Sequence, residues 1–258
     1  MAVADIASGR FEMGRVFSRT FEVIRANFLP FFLLGLIATI PSTVYQLLTT
    51  SGQLPSTFAA GDSHATTLFL IAVGLSAIVG SFLGLVLQAA LTYGAISYLG
   101  GQPVSLGRAV GVGFRQFFPL LGIGFLEALG LMVGFLLLIV PGFMLLVAWS
   151  MAVPARVAEQ TGITESFGRS RELTAGYRWP IFGAIVILTL GSGVAQAAVR
   201  PLVAAGALSA TVYLGAALTA VVTAILAVAS ATLHASMYYE LRMIKEGVGP
   251  QQIAAVFD

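Results

Sequence analysis

The sequence has no cysteine, only two histidines and a single lysine among its 258 residues. A chain without cysteine forms neither disulfides nor thiolate metal sites, and two histidines supply little material for metal or acid–base chemistry. Charged residues make up 9% of the chain, against roughly 25% in soluble domains. The net charge of +2 is too small to indicate nucleic acid. We therefore expect no cofactor, no metal and no nucleic-acid partner.

Apolar residues, in contrast, make up 58% of the chain, and its mean hydropathy is +0.95. Crossing roughly 30 Å of hydrocarbon takes about 20 largely apolar residues, and six runs meet or approach that length. They cover residues 28–48, 67–99, 119–140, 142–158, 180–199 and 202–239. The sequence therefore predicts an all-α polytopic membrane protein in which residues 1–258 form a single membrane domain.

The runs differ in length and in how they end. The second and sixth exceed one bilayer thickness and should tilt or project beyond it, with Gln88 near a wet end. Val140-Pro141-Gly142 predicts a tight turn before the short fourth run, and Pro154 predicts a kink near its exit. Arg200-Pro201 predicts the turn between the fifth and sixth runs.

The basic residues lie almost entirely on one side of the predicted membrane. Twelve of the 13 lie before the first run, between the second and third, around the connection between the fourth and fifth, or after the sixth. Only Arg200 lies on the other side. Positively charged loops stay in the cytoplasm. The pattern predicts a multi-pass membrane protein with both termini cytoplasmic.

An amphipathic helix is predicted before the first run. Its polar face carries Glu12, Arg15, Arg19 and Glu22. Its apolar face carries Met13, Val16, Phe17, Thr20, Phe21, Ile24 and Phe28. Two placements remain open: the helix lies among anionic headgroups of the bilayer, or it packs on the cytosolic side of the protein itself.

The odd-numbered runs share an entry pattern. Each begins near a proline that follows aromatic residues, with an arginine eleven residues before the proline. The pairs are Arg19 with Pro30, Arg108 with Pro119, and Arg169 with Pro180. The pattern predicts three units, each a cytosolic amphipathic helix followed by a transmembrane hairpin, although prolines and aromatic residues often mark helix entry without any repeat. The units are 10–99, 103–158 and 164–240, with 241–258 as a cytosolic tail. We expect the three arginines to face the inner headgroups.

Small residues at four-residue spacing form two stripes, Ser76/Gly80/Gly84 and Gly130/Gly134. Such stripes let transmembrane helices approach closely, so helix packing is the favoured interpretation and a glycine-lined substrate path the alternative.

Glu127 is the main ionisable residue inside a run, eight residues or roughly 12 Å beyond Pro119. A charge in hydrocarbon is costly, so Glu127 either carries a proton or cation, or has a structural role. In the structural role it hydrogen-bonds a neighbouring helix while protonated, or it faces a lumen that contains only water. His234 is interpreted as a hydrogen-bonded interfacial residue. Arg156 and Glu159 are expected to anchor a membrane exit, paired with each other.

One stretch resembles a known family. It contains Val140-Pro141-Gly142-Phe143, a single Glu159, the helix 165–176 (ESFGRSRELTAG) and Trp179-Pro180. The stretch is similar to the signature of the glycerophosphoryl diester phosphodiesterase membrane domain family and the related YciC-type inner-membrane proteins. The resemblance singles out Pro141, Gly142, Glu159, Ser170, Leu173 and Gly176. It implies a multi-pass domain of the bacterial inner (plasma) membrane, with a poorly defined function. In that family phosphodiesterase activity belongs to a separate soluble barrel, for which the six runs leave no room in this sequence. Ser170 is interpreted as a packing hydroxyl, since no histidine lies near it in sequence.

Three functions compete at this point. Packing glycines, surface helices and missing chemistry favour a noncatalytic membrane domain, acting as scaffold, subunit of a membrane-protein partner or envelope-maintenance factor. The alternative is a transporter or lipid-handling protein with a path between three hairpins, lined by Glu127. A membrane-embedded enzyme would need converging polar residues, which the sequence does not predict.

Overall fold

The structure, a computed structural model, describes residues 11–50, 63–205 and 211–247. Within these ranges every regular element is a helix, which confirms the predicted all-α fold. The helices are α1 (Met13–Ala26), α2 (Phe28–Thr50), α3 (Ser63–Leu99), α4 (Leu106–Leu137), α5 (Ile139–Trp149), α6 (Ala152–Glu159), α7 (Ile163–Thr174), α8 (Arg178–Ala205) and α9 (Thr211–Glu246).

Six stretches of the described chain are helical, long and apolar enough to cross a membrane. They are Phe28–Leu47, Thr66–Leu99, Leu106–Leu137, Ile139–Glu159, Arg178–Pro201 and Tyr213–Glu246. Large apolar side chains point outward along them: Leu136 is 83% exposed, Phe118 77% and Val194 71%. An apolar exterior of this extent suits hydrocarbon rather than water. The protein is therefore a multi-pass membrane protein.

Helix α9 is the central element of the bundle and packs against α1, α2, α3 and α8. Helix α3 packs against α2, α4 and α9. The largest buried cluster lies where α9 meets α1, α6 and α7, and includes Val16, Met151, Leu173 and Tyr238, none of them exposed. We call this end of the bundle, which also carries most ion pairs, the charged end.

The predicted amphipathic helices are not all separate elements. Helices α1 and α7 are distinct from the spans that follow them, but α4 runs without a break from Leu106 through Pro119. The other two prolines, Pro30 and Pro180, occupy the third positions of α2 and α8, where the backbone N–H lacks an intrahelical partner in any case. The three prolines are therefore not equivalent, and a separate second surface helix was a wrong prediction.

Two predicted turns are also wrong, because proline there belongs to a helix. The chain turns at Leu138, whose backbone is extended, and Pro141 and Gly142 lie in the first turn of α5. Helix α8 continues through Arg200-Pro201 to Ala205, and residues 206–210, which follow it, lie outside the described ranges. Proline is well tolerated in a first turn, and a span can accommodate it when neighbours satisfy the freed carbonyl.

The fourth span is interrupted close to the predicted kink at Pro154. Helix α5 ends at Trp149 and α6 begins at Ala152, so Ser150 and Met151 interrupt the span. Pro154 is the third residue of α6, where the backbone N–H lacks an intrahelical partner in any case. The sixth span, in contrast, ends later than predicted. Residues 241–246 belong to α9 rather than to a tail, and Leu241 is fully buried.

Candidate functional site

A cluster of ion pairs joins three helices at the charged end. Arg169 Nε donates to both carboxylate oxygens of Glu159, at 2.9 and 2.8 Å, and the Tyr238 hydroxyl donates to Glu159 Oε1 at 2.7 Å. Glu246 accepts hydrogen bonds from Arg169 and, at 2.8 Å, from Arg242 Nε. Glu159 on α6, Arg169 on α7 and the α9 residues therefore form one network.

This network fixes the charge of Arg169. Burial alone would lower the pKa of the Arg169 guanidinium, but its hydrogen bonds to Glu159 and Glu246 and the charges of these carboxylates together raise that pKa. The expected pairing of Glu159 with Arg156 was wrong. Arg156 Nε instead donates to Gln116 Oε1 on α4 at 3.0 Å, because Glu159 is directed at α7 and α9.

A second set of ion pairs fastens α1 to α9. The Glu240 side chain is 1% exposed and lies 3.0 Å from Arg15 Nη1, and it also accepts a hydrogen bond from Arg19. The Arg19 guanidinium lies 5.1 Å from the centre of the Tyr239 ring, a cation–π contact. The sequence left two placements of α1 open, among the headgroups or against the protein itself. In the structure, α1 packs against the charged end of the protein.

The faces of α1 follow the prediction in part, since Met13, Phe17 and Ile24 pack against the buried core. Val16, Thr20 and Val23 are buried, while Phe21, assigned to the apolar face, is 68% exposed. The arginines Arg19 and Arg169 bind carboxylates, whereas Arg108 is exposed. The three arginines therefore differ in their contacts, and the expectation that they face the inner headgroups stays a prediction.

Three of the residues singled out by the family resemblance stabilise the break in the fourth span and helix α7, which packs against it. The Ser170 hydroxyl donates to the Ala148 carbonyl at 2.7 Å and accepts from the Met151 N–H at 3.0 Å. The interrupted helix does not provide partners for these groups, so Ser170 replaces them. Leu173 is fully buried, and Gly176, with φ of +88°, takes the left-handed conformation that ends α7. Ser170 has the contacts of a structural hydroxyl.

The stripe formed by Gly130 and Gly134 lets α4 approach α5. A Cβ atom on Gly130 would overlap the Trp149 ring, and one on Gly134 would lie 3.2 Å from Cα of Gly142. A Cβ atom on Gly142 would in turn overlap the Phe135 ring. These contacts confirm helix packing as the role of this stripe.

The other stripe borders a cavity of about 620 Å³ inside the bundle. Seven helices, α2 to α6 with α8 and α9, contribute to its wall. Its polar lining consists of Thr39, Ser42, Gln88, Thr92, Glu127, Ser150, Thr223, Ser230 and His234. Gly80 and Gly84 provide room, and a Cβ atom on Gly84 would meet nothing within 4 Å.

Glu127 lies on the cavity wall near the middle of its span, ten residues or about 15 Å from the end of α4 at Leu137. It has neither a hydrogen-bond nor an ion-pair partner among the described residues, and it is partly exposed. His234 lines the same cavity, and its Nδ1 lies 2.8 Å from the Ser230 carbonyl oxygen. The sequence indicated each residue singly, but gave no sign that α4 and α9 bring them to one cavity.

Gln88 also lines the cavity. From the sequence it was interpreted only as a residue near a helix end that contacts water. No group of three histidines, cysteines or carboxylates that could hold a metal is found in the described part of the chain. The cavity therefore offers one carboxylate, one imidazole, one amide and several hydroxyls among apolar side chains. Such a wall can bind a ligand of mixed polarity.

Comparison with known proteins gives one match. A family model described as "Domain of unknown function (DUF7847)" matches residues 93–241, more than half of the chain. No curated protein matches, and no solved structure matches either. The resemblance to the glycerophosphoryl diester phosphodiesterase membrane domain family stays a prediction. The chain belongs to the DUF7847 family of domains of unknown function.

Proposed function

We propose that this protein binds a small solute or lipid of mixed polarity in its intramembrane cavity and moves it across or within the bilayer, without catalysing a reaction on it. The observation that carries the proposal is the cavity of about 620 Å³, with Glu127, Gln88 and His234 on its wall. Ligand pockets of drug-sized molecules have volumes of roughly 300–1,000 Å³.

Polar groups at this depth need partners. A carboxyl or amide that faces hydrocarbon is expensive, so intramembrane polar residues line water-filled cavities or ligand pathways. Glu127 and Gln88 have no hydrogen-bond partner among the described residues, although both lie within spans. Water or a ligand must therefore satisfy them. Because seven helices form the wall, small rearrangements of the bundle would change access to the cavity.

A scaffold or subunit role is the second candidate, and the charged end favours it. Glu159, Arg169, Ser170 and Glu240 all take part in contacts that join helices, and none of them lines the cavity. A rigid platform of this kind suits a membrane-protein partner. It does not explain why Glu127 has no partner among the described residues.

We further propose that the charged end faces the cytoplasm of a bacterial cell, in its inner membrane, with both termini on that side. Twelve of the 13 basic residues support this orientation. In this arrangement α1 and α7 are surface helices next to anionic headgroups. Phe21 of α1 and Arg108, at the start of α4, are exposed toward the same headgroups.

Single cysteines test the orientation, since the chain has none of its own. Gly168 is exposed on α7, and a Cβ atom added there would meet nothing within 4 Å, so Gly168→Cys should fold. An impermeant thiol reagent added to intact cells should label Ser56→Cys, which lies outside the described residues, and leave Gly168→Cys unlabelled until the cells are lysed. The reverse pattern would overturn the orientation.

Filling the cavity tests the proposed function. Gly84→Phe would place a ring in the cavity, whereas Gly74→Phe makes the same change ten residues earlier on α3, at an exposed position with nothing within 4 Å. In proteoliposomes supplied with a panel of labelled amphiphilic solutes and phospholipids, the wild type should move at least one class faster than protein-free vesicles. Gly84→Phe should slow that movement about tenfold or more, and Gly74→Phe should not.

Two results would count against the proposal. If the wild type moves nothing in the panel faster than protein-free vesicles do, transport is wrong and the scaffold role takes its place. If Gly84→Phe and Gly74→Phe have equal effects on a measured flux, the path does not pass through the cavity.

A further inference from the structure

We infer that the cavity selects lipophilic organic cations, molecules with one positive charge and a substantial apolar part. This inference rests on the proposed function and specifies its substrate class. Three features of the wall carry it: the charge of the lining residues, the hydrogen-bonding state of His234, and the position of Trp149.

The lining has only one kind of formal charge to offer. Glu127 is its single carboxylate, and neither arginine nor lysine is among the lining residues that the structure describes. The arginines of the charged end cannot serve as counterions, because Arg15, Arg19, Arg169 and Arg242 pair with carboxylates there. A cationic ligand would supply the opposite charge that the described residues do not give Glu127.

His234 adds an acceptor rather than a positive charge. Its Nδ1 lies 2.8 Å from the Ser230 carbonyl oxygen, and a carbonyl can only accept, so Nδ1 carries the proton. In the neutral ring Nε2 then has a free lone pair. The two ionisable residues of the wall therefore both suit a ligand that donates hydrogen bonds or carries positive charge.

Trp149 is also a lining residue of this wall. Indole is the best cation–π partner among the side chains. The ring is held in place because it packs against Gly130 and against Phe167, whose centroid is 4.9 Å away. Leu87, Leu91 and Ile185 give the cavity apolar surface for the rest of the ligand.

A pair of ions with matched shape tests the charge selection. Tetraphenylphosphonium and tetraphenylborate are nearly identical in size and shape and opposite in charge. Equilibrium binding of each radiolabelled ion to purified wild-type protein in nanodiscs, with empty nanodiscs subtracted, should show saturable binding of the cation and none of the anion. This comparison needs no variant.

Variants then locate the site. Glu127→Gln removes the charge at constant shape and should weaken binding of tetraphenylphosphonium roughly tenfold or more. Glu22→Gln, the same change at an exposed position of α1, should leave it unchanged. Trp149→Leu should weaken binding roughly threefold to tenfold, and Gly84→Phe should abolish it. Helical circular dichroism and gel filtration establish that each variant is folded.

The outcomes separate this inference from the function on which it rests. If the anion binds as well as the cation, or if Glu127→Gln and Glu22→Gln bind the cation equally, the inference is overturned. If the cation does not bind while proteoliposomes still show a flux that Gly84→Phe blocks, the substrate class is wrong and the proposed function stands. If both binding and flux are missing, both proposals fail.

Discussion

Glu240→Ala is expected to lower the free energy of unfolding by about 3–5 kcal/mol, the usual cost of removing one partner from a buried ion pair. The Glu240 side chain is 1% exposed and binds Arg15 and Arg19, whose side chains are only 18% and 19% exposed. Removing the carboxylate leaves these two guanidinium groups in a partly dry environment without their shared acceptor. Helix α1 should detach from α9 first.

Unfolding of purified protein in mixed micelles, titrated with sodium dodecyl sulfate and followed by circular dichroism, measures this effect. Glu22→Ala is the matched control, since Glu22 is exposed on the same helix α1 and should change the free energy by less than about 0.5 kcal/mol. A loss below about 1 kcal/mol for Glu240→Ala would mean that the ion pairs do not hold α1 in place.

Ser170→Ala should cost about 2–4 kcal/mol, which is large for the loss of one oxygen atom. Two buried backbone groups, the Ala148 carbonyl and the Met151 N–H, would lose their bond to the hydroxyl at once. Each unsatisfied buried group costs about 1–3 kcal/mol, and the interrupted helix offers no replacement.

The same titration applies, with Ser192→Ala as the control. The Ser192 hydroxyl bonds to the Leu188 carbonyl within its own helix, at 2.6 Å, so its removal leaves no backbone group that lacks its helical partner. Equal stability of the two variants would contradict the role assigned to Ser170 at the break in the fourth span.

The class of fold follows from the sequence because hydrocarbon permits few structures. A run of about 20 apolar residues must become a helix that satisfies its own backbone, which is why all six spans could be predicted. The ends of the helices could not. Proline opens a helix as readily as it ends one, so Pro141 and Pro201 were placed in turns although both lie inside helices.

The candidate site was predictable only in its parts. Glu127 stands out because a carboxylate within a span is unusual. Its neighbours come from other helices, and no local pattern relates it to His234, 107 positions later in the chain. The pairing of Arg19 with Glu240 spans 221 residues. Contacts of this kind depend on the packing of the bundle, which periodicity along a single helix does not encode.

Helix α9 is continuous over 36 residues, or about 54 Å, and takes part in both regions of the molecule. Ser230 and His234 lie on the cavity wall, and Tyr238 and Glu240 lie in the charged end. Each residue of an α-helix turns the chain by about 100°. One inserted or deleted residue between His234 and Tyr238 would therefore rotate one region against the other. The cavity and the charged end are therefore coupled through α9, and the number of residues between them on this helix is fixed.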